Sequence, residues 1–437
     1  MKVITLGLLG LGTVGGGLVN ILRTSLPEIE RRLGKSFRVE RIAVRDLNRA
    51  RNVNTDGIAL TDDPFSVVQD PNVQVVVELM GGTTLAKDLV EQAIKNGKHV
   101  VTANKALIAL YGNEMFALAK QHGVQIYFEA AVAGGVPVIK ALREGLAGNQ
   151  IQWLAGIING TGNYILTEMK KPSADFAVVL KKAQDLGYAE ADPTYDVEGI
   201  DAAHKLTILA ALAFGIELNF TQVYTEGISQ VSADDIRFAQ QFGYEIKHLG
   251  TAARTANGFS LRVHPTLVPK TVLIANVNGV MNAVMVNGNH VGSTMYYGPG
   301  AGAGATASAV MADLIDLARG FDAPADSHVP GLAFQPDAIQ RDAKFEPIDA
   351  IETAYYVRCT VKDHPGVLAK ISQVLANHDI SIEHLHQEPL GEEADFALMV
   401  FTTDVVQESR FNHALAELEN LKDVEGKIAR IRIGAMS

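Results

Sequence analysis

The sequence predicts an α/β protein. A Rossmann-type parallel sheet opens the chain, an α+β region follows, and a ferredoxin-like tail in the order β-α-β-β-α-β closes it. Three observations carry this prediction. The apolar run Val3–Leu9 ends in Gly10-Leu11-Gly12-Thr13-Val14-Gly15 and leads into a helical segment, Gly16–Arg23. Further strand-like runs follow at Val39–Val44, Val73–Leu79, His99–Thr102 and Val124–Phe128, with Leu85–Asn96 helical between two of them, as strand–helix–strand units require. Residues 354–433 spell the tail, element by element.

The bulk numbers fit this plan. At 437 residues the chain is too long for one ordinary core, so two or three domains are expected. It is 47% hydrophobic and 20% charged, a globular composition. A net charge of −11 argues against a general nucleic-acid binder. A single cysteine, Cys359, excludes an intrachain disulfide or a cysteine metal cluster. No apolar run reaches membrane-spanning length. The apolar start, MKVITLGLLGLG, continues into a glycine fingerprint that removal of a signal peptide would destroy, so the expected location is the cytoplasm.

In the first domain each glycine has a task. Gly10 allows the tight turn, Gly12 lets the backbone approach a pyrophosphate, and Gly15 lets the helix close on the strand. The pyrophosphate would meet the positive end of the helix. After Val39–Val44 comes Arg45, with Arg49 and Arg51 close by. Arginine suits the 2′-phosphate of NADP, whereas Asp46 in the same turn would serve the ribose hydroxyls of NAD. Val73–Leu79 ends at Met80-Gly81-Gly82-Thr83-Thr84, and His99–Thr102 at Ala103-Asn104-Lys105. Ligands of open α/β sheets gather beyond such carboxyl ends. Thr83 and Lys105 are therefore candidates for the cofactor site, although a lysine there can also simply cap a loop.

The middle region holds most of the chemistry. Glu190, Asp192, Asp196, Asp201 and Lys205 fall within one short acidic stretch. A spacing of four puts Asp201 and Lys205 on one face of the helix expected at Ala202–Phe214. Acids clustered around a lysine suit a substrate ammonium group and a proton donor, or else a solvated turn followed by a salt-bridged helix. Glu129–Pro137 is rich in small residues and glycine, which leaves main-chain oxygens free for a ligand or hard cation, or serves a tight domain crossing. Ile157–Tyr164 reads as a polar loop at a strand end. Phe259–Pro265 and Val272–Val277 read as strands, and the glycine loop 298–306 precedes a helix at Ala307–Arg319.

Pro324–Pro347 reads as a linker. The tail elements are Ala354–Val361, a turn at Asp363–Gly366, a helix at Val367–Asn377, strands at Ile380–Gln387 and Ala394–Thr402, a helix at Gln407–Leu421 and a strand at Ile428–Ile433. His364, His378, His384 and His386 lack a metal-ligand pattern.

Taken together, these motifs resemble homoserine dehydrogenases. The signature is Ala183, Gly187-Tyr188-Ala189, Asp192-Pro193, Asp196-Val197, Gly199, Asp201 and Lys205. GLGTVG at 10–15, TANK at 102–105, EAAVAGGVP at 129–137, NGTGNYI at 159–165 and GPGAG at 298–302 follow in family order. Ala305 replaces a proline that usually precedes the Thr-Ala of the glycine loop. The tail, with DHPGVLAKISQVLANHDISI at 363–382, resembles an ACT domain.

The resemblance implies an NAD(P)-binding domain at 1–133, a catalytic and dimerisation domain at 134–322, a linker at 323–352 and an ACT domain at 353–437. Within the catalytic domain, a helix near 306–319 would return to the first domain. It implies reversible hydride transfer between L-homoserine and L-aspartate 4-semialdehyde, on the route to threonine, methionine and isoleucine. Lys205, or Lys105 facing it, would donate the proton, and Asp201 would orient Lys205 or bond the substrate. A lysine in that role needs a lowered pKa, from burial or a second lysine. Glu190 and Asp196 would hold the substrate ammonium, with Lys105 beside it. The cofactor would be NADP, with NAD the alternative, at Gly10, Leu11, Gly12, Thr13, Val14, Gly15, Arg45, Thr83, Lys105 and Gly302. Main-chain oxygens of Glu129, Val132, Gly134 and Val136 would take a monovalent cation, sodium. The tail would bind an amino-acid effector, threonine, near Asp363 and Gly366, or serve only to dimerise. A homodimer or homotetramer is expected, without nucleic acid or membrane. Two readings compete: an amino-acid-binding regulator with a silent dehydrogenase part, and a dehydrogenase for another small aldehyde.

Overall fold

A computed structural model describes residues 1–171, 174–324, 327–391 and 395–434. The first residue of the expected strand at Ala394, two positions of the expected linker (325 and 326) and the last three residues lie outside them. The chain forms two compact units from interleaved segments. The first takes Met1–Ile158, Asp201–Val223 and Met281–Ala343; the second takes Asn159–Ile200, Tyr224–Val280 and 344–437.

The first unit is built on six parallel strands: β1 (Lys2–Leu9), β2 (Lys35–Ala43), β3 (Ala59–Thr61), β4 (Val75–Glu78), β5 (His99–Thr102) and β6 (Ile126–Tyr127). Their order is β3-β2-β1-β4-β5-β6. This reverses direction at β1, and the crevice beyond the carboxyl ends of β1 and β4 is where such sheets bind ligands. Ile4, Leu6, Leu8 and Leu9 are fully buried, which is why β1 reads as a continuous apolar run rather than an alternating one. Helix Thr13–Thr24 covers the sheet with Leu18, Val19 and Leu22, and helix Ala303–Gly320 shares that core through Val310, Leu314 and Leu317. The two helices approach so closely that a Cβ on Gly17 would lie 2.4 Å from the oxygen of Ala303. The same unit holds an antiparallel run of β7 (Ile151–Ile157), β11 (Met281–Gly288) and β12 (Gly292–Pro299), with β11 in the middle.

In the second unit β9 (Tyr244–Thr255) and β10 (Gly258–Pro269) form a long hairpin, and the short β8 (Tyr224–Thr225) lies parallel to β10. β10 also pairs with the last strand of the tail. The tail strands are β13 (Glu352–Lys362), β14 (Ile382–Pro389), β15 (Phe396–Thr403), the short β16 (Val406–Gln407) and β17 (Val424–Ile433). Their order, β17-β13-β15-β14, is that of a ferredoxin-like sheet, with helices Val367–Asn377 and Glu408–Glu419 on one face. Alternation along β13 sends Tyr355, Val357 and Cys359 to those helices. It sends Tyr356 to the other face, against Phe238 and Ile165. The wholly buried Asp235 fastens this second face. It accepts from Arg358 Nε (2.6 Å) and Nη2 (3.1 Å), from Tyr356 (3.0 Å) and from the backbone and hydroxyl of Ser232, whose helix it also caps.

Two local expectations are corrected. Val272–Val277 is not a strand: it contains the 3₁₀ turn Leu273–Asn276, in which Leu273 and Asn276 face outward while Ile274 and Ala275 are buried. A short apolar run does not distinguish the two periods. Ile157–Tyr164 is not a loop: Ile157 ends β7 and Gly160–Tyr164 begin helix Gly160–Glu168. Asn159 caps it, accepting from Gly162 N at 2.7 Å, so the turn-forming residues lie in the first turn of the helix.

Candidate active site

The carboxyl ends of the parallel strands present the dinucleotide fingerprint. Gly10 has φ +106° and a Cβ there would meet the oxygen of Leu79 at 2.9 Å, while a Cβ on Gly15 would meet that of Gly10 at 2.4 Å. Gly12 is exposed, with nothing within 4 Å of its Cβ position. Close packing at the first and third glycines and open space at the second is the shape a pyrophosphate requires. No side chain caps helix Thr13–Thr24, so its first N–H groups remain available for an anion. Leu11 and Val14 are half-buried and Thr13 is exposed on the same turn. Arg45 is exposed just past β2. Arg51 binds the carbonyls of Asp46, Leu47 and Arg49, and Asp46 accepts from Asn48 N at 2.8 Å, so the loop after Arg45 is internally braced. Thr83 follows the Gly81-Gly82 turn of β4 and Gly302 precedes helix Ala303–Gly320 with φ +119°.

Lys105 is the first residue of helix Lys105–Gln121, which Asn104 caps by accepting from Leu107 N at 3.1 Å. Its Nζ lies 2.9 Å from Oδ1 of Asp201, and Nζ of Lys205 lies 2.7 Å from Oδ2. Asp201 and Lys205 share one face of helix Ile200–Phe214, as their spacing predicts. Lys205 also donates to the oxygen of Ile158 at 2.7 Å. Burial of Asp201 disfavours its charge, but the two ammonium groups outweigh this and hold its carboxyl well below the usual range. One carboxylate therefore holds two ammonium groups in fixed positions. Lys205 is the enclosed one, its side chain 12% exposed against 39% for Lys105.

In the second unit Asp196 accepts from Asn159 Nδ2 at 2.7 Å, and Glu190 is exposed with its main-chain oxygen bound by Gln184. Asp192 accepts from Thr194 N at 3.1 Å just before the short helix Thr194–Val197. The amide of Asn159 thus links the helix cap to Asp196, a partnership with no spacing signal in the sequence. The turn Asp363–Gly366 opens helix Val367–Asn377. Asp363 accepts from Gln387 at 3.2 Å and Gly366 has φ +99°.

The Glu129–Val136 segment, also in the first unit, turns through two left-handed residues, Ala133 (φ 54°) and Gly134 (φ 49°). The carboxylate of Glu129 accepts from the backbone of Ile139 (3.0 Å) and Lys140 (2.7 Å), and its N–H donates to Asp313 at 2.8 Å. The main-chain oxygens of Glu129 and Val136 each take one backbone N–H, at 3.4 and 2.8 Å, which leaves a second lone pair on each. These two oxygens therefore keep room for a further partner. Among the described residues no group of three His, Cys, Asp or Glu could hold a metal, and no helix is long and apolar enough to cross a membrane.

A dinucleotide fingerprint on a parallel sheet, with one carboxylate fixing Lys105 past β5 and Lys205 on helix Ile200–Phe214, fits an NAD(P)-dependent oxidoreductase. Comparison with known proteins narrows the class. Residues 10–129 match the model for the NAD-binding domain of homoserine dehydrogenase, 137–315 that for homoserine dehydrogenase, and 355–423 that for the ACT domain. The homoserine dehydrogenase of Pseudomonas aeruginosa is 57% identical over 433 residues, 99% of either chain; that of Neisseria gonorrhoeae is 51% identical over 436 residues, all of either chain. A crystal structure of a homoserine dehydrogenase from Thiobacillus denitrificans superposes with TM-score 0.95 at 55% identity, covering 100% of this chain and 99% of that one. A hyperthermophilic archaeal homoserine dehydrogenase in complex with NADPH has TM-score 0.61 at 26% identity and covers 72% of this chain and 97% of its own. The chain belongs to the homoserine dehydrogenase family and carries an ACT domain.

Proposed function

We propose that the chain interconverts L-homoserine and L-aspartate 4-semialdehyde, with Lys205 carrying the proton, as a step towards threonine, methionine and isoleucine. The observation that carries this reading is the Asp201 carboxylate held between Lys105 and Lys205. The nicotinamide, when bound, accepts or gives the hydride. In the reductive direction the aldehyde oxygen becomes an alkoxide; the Lys205 ammonium polarises it and gives it a proton, with Lys105 adding a second positive charge. In the oxidative direction Lys205 takes the hydroxyl proton back. Asp201 keeps both lysines in place throughout, because its own charge is held firmly. Glu190 and Asp196 bind the substrate ammonium, and the Asn159 amide orients Asp196.

NADP is the preferred cofactor in this reading, because Arg45 is exposed just past β2 and a guanidinium suits a 2′-phosphate. It sits at Gly10, Leu11, Gly12, Thr13, Val14, Gly15, Thr83, Lys105 and Gly302. Sodium on the oxygens of Glu129, Val132, Gly134 and Val136 braces the turn and takes no part in chemistry. The ACT domain binds threonine near Asp363 and Gly366 and reduces turnover in a homodimer or homotetramer located in the cytoplasm. The test is turnover of L-homoserine with each nicotinamide cofactor, followed at the reduced-nicotinamide absorbance band. Oxidation by the parent, lost in Lys205→Ala, is the expected result.

A further inference from the structure

A carboxylate outside the proposed machinery stands at the centre of the cofactor edge. Glu78 ends β4 after three buried valines and is fully buried itself. A buried acid is costly unless its oxygens are bonded, and here they are. Oε1 accepts from the backbone N–H groups of Met80 (2.9 Å) and Gly81 (3.1 Å), and Oε2 accepts from the hydroxyl of Thr102 (2.6 Å). The chain of bonds then continues. Thr102 Oγ1 accepts from Asn104 N at 3.0 Å, and Asn104 Nδ2 donates to the oxygen of Gly82 at 2.6 Å. The ring closes on the turn where it began.

The backbone ladder already pairs Glu78 with Thr102 and closes with Ala103 N on the oxygen of Glu78 at 3.3 Å. Beyond it, this side-chain ring ties the turn after β4 to the turn after β5. Thr83 leaves the first of these turns, and Lys105 starts the helix that leaves the second. Gly81 and Gly82 both adopt left-handed φ, +71° and +74°, so the first turn has little stiffness of its own and takes its path from Glu78 and Asn104.

We propose that Glu78 is a positioning residue for hydride transfer, acting through Thr83 and Lys105. This rests on the reading that Thr83 meets the cofactor and Lys105 the reacting oxygen. Glu78→Gln keeps an oxygen for Met80 and Gly81 but turns an amide N–H₂ towards a hydroxyl that already accepts from Asn104, so the Thr102 proton loses its acceptor. Misplacing a reacting group by about 1 Å can cost about a hundredfold in rate.

The test compares Glu78→Gln, Thr102→Val, Thr102→Ser and Lys105→Met in the full chain. It reads kcat, KM for NADP and for L-homoserine, the kinetic isotope effect with L-homoserine deuterated at the carbinol carbon, and Tm. Glu78→Gln is expected to lower kcat by about ten- to a hundredfold, to raise KM for NADP and the isotope effect, and to leave KM for L-homoserine within about twofold of the parent. Thr102→Ser restores the hydroxyl and is expected to behave as the parent. Thr102→Val follows Glu78→Gln, and the double variant is no slower than either single one, because both break one ring. If Glu78→Gln fails to fold, the serine–valine contrast at Thr102 decides. Parent-like kcat and isotope effect in Glu78→Gln and Thr102→Val, with only Tm lowered, would overturn the proposal while an impaired Lys105→Met left the site reading intact. A fully active Lys105→Met would remove the reading on which the proposal rests.

Discussion

Replacing Lys205 with alanine separates catalysis from folding. Its Nζ bonds Asp201 and the oxygen of Ile158, each at 2.7 Å, so the substitution removes the donor of both bonds. Asp201 keeps Lys105 at 2.9 Å, and the carbonyl loses one partner. Leaving such acceptors short costs on the order of 1–3 kcal/mol, less than the roughly 5–15 kcal/mol of a folded domain. Loss of a positioned proton carrier costs about 10²–10⁴ in rate, or about 3–5 kcal/mol in the barrier at roughly 1.4 per decade. The variant is therefore expected to fold, to bind NADPH with parental affinity by nicotinamide fluorescence, and to lose at least about a hundredfold in kcat. The assay is the change at the reduced-nicotinamide band with saturating L-homoserine. Turnover within about tenfold of the parent, from folded protein, would refute the assignment of the proton to Lys205.

Three further outcomes are expected. Arg45→Ala should raise KM for NADP by roughly ten- to a hundredfold, the worth of a charged hydrogen bond, and leave KM for NAD unchanged; equal effects on both would show that Arg45 does not read the 2′-phosphate. Burial, then the charge of Lys170, pushes the Lys247 pKa down to about 7. The folded chain thus sheds this proton before the unfolded chain does, and the lysine's destabilising effect, full below pH 7, fades as pH rises towards its ordinary value near 10.5. Lys247→Met should accordingly gain stability over the parent most below pH 7 and progressively less above it, in denaturant melts; a gap that widens with pH would contradict this sign. Arg358→Ala leaves the buried Asp235 without its bidentate partner and should cost about 3–5 kcal/mol in urea unfolding; a loss under about 1 kcal/mol, the range of an exposed ion pair, would mean the pair does not fasten the tail.

Much of the fold was legible because local signals agreed with the tertiary answer. The run Val3–Leu9 with its three glycines dictates strand, turn and helix together, and alternation in the tail separates two faces of β13. Three kinds of feature were not legible. The strands at 244–255 and 281–299 contain polar residues such as Lys247, His248, Asn282 and Asn287, which burial and strand pairing accommodate but which blur the pattern. Asn159 looked like a turn residue because a helix cap and a turn use the same chemistry. At the site, the four-residue spacing showed Asp201 facing Lys205, but nothing local could bring Lys105, from another strand end, to the second oxygen of the same carboxylate. Glu78 left one usable trace, an acid closing an apolar strand, whose value depended on knowing that Thr102 lies beside it.

The most direct test of the account follows the reduced-nicotinamide band with L-homoserine and NADP or NAD in turn, with and without L-threonine, in the parent and in Lys205→Ala. Faster turnover with NADP, suppression by threonine and loss of turnover in the variant are expected. A folded parent that turns over L-homoserine with neither cofactor would contradict it.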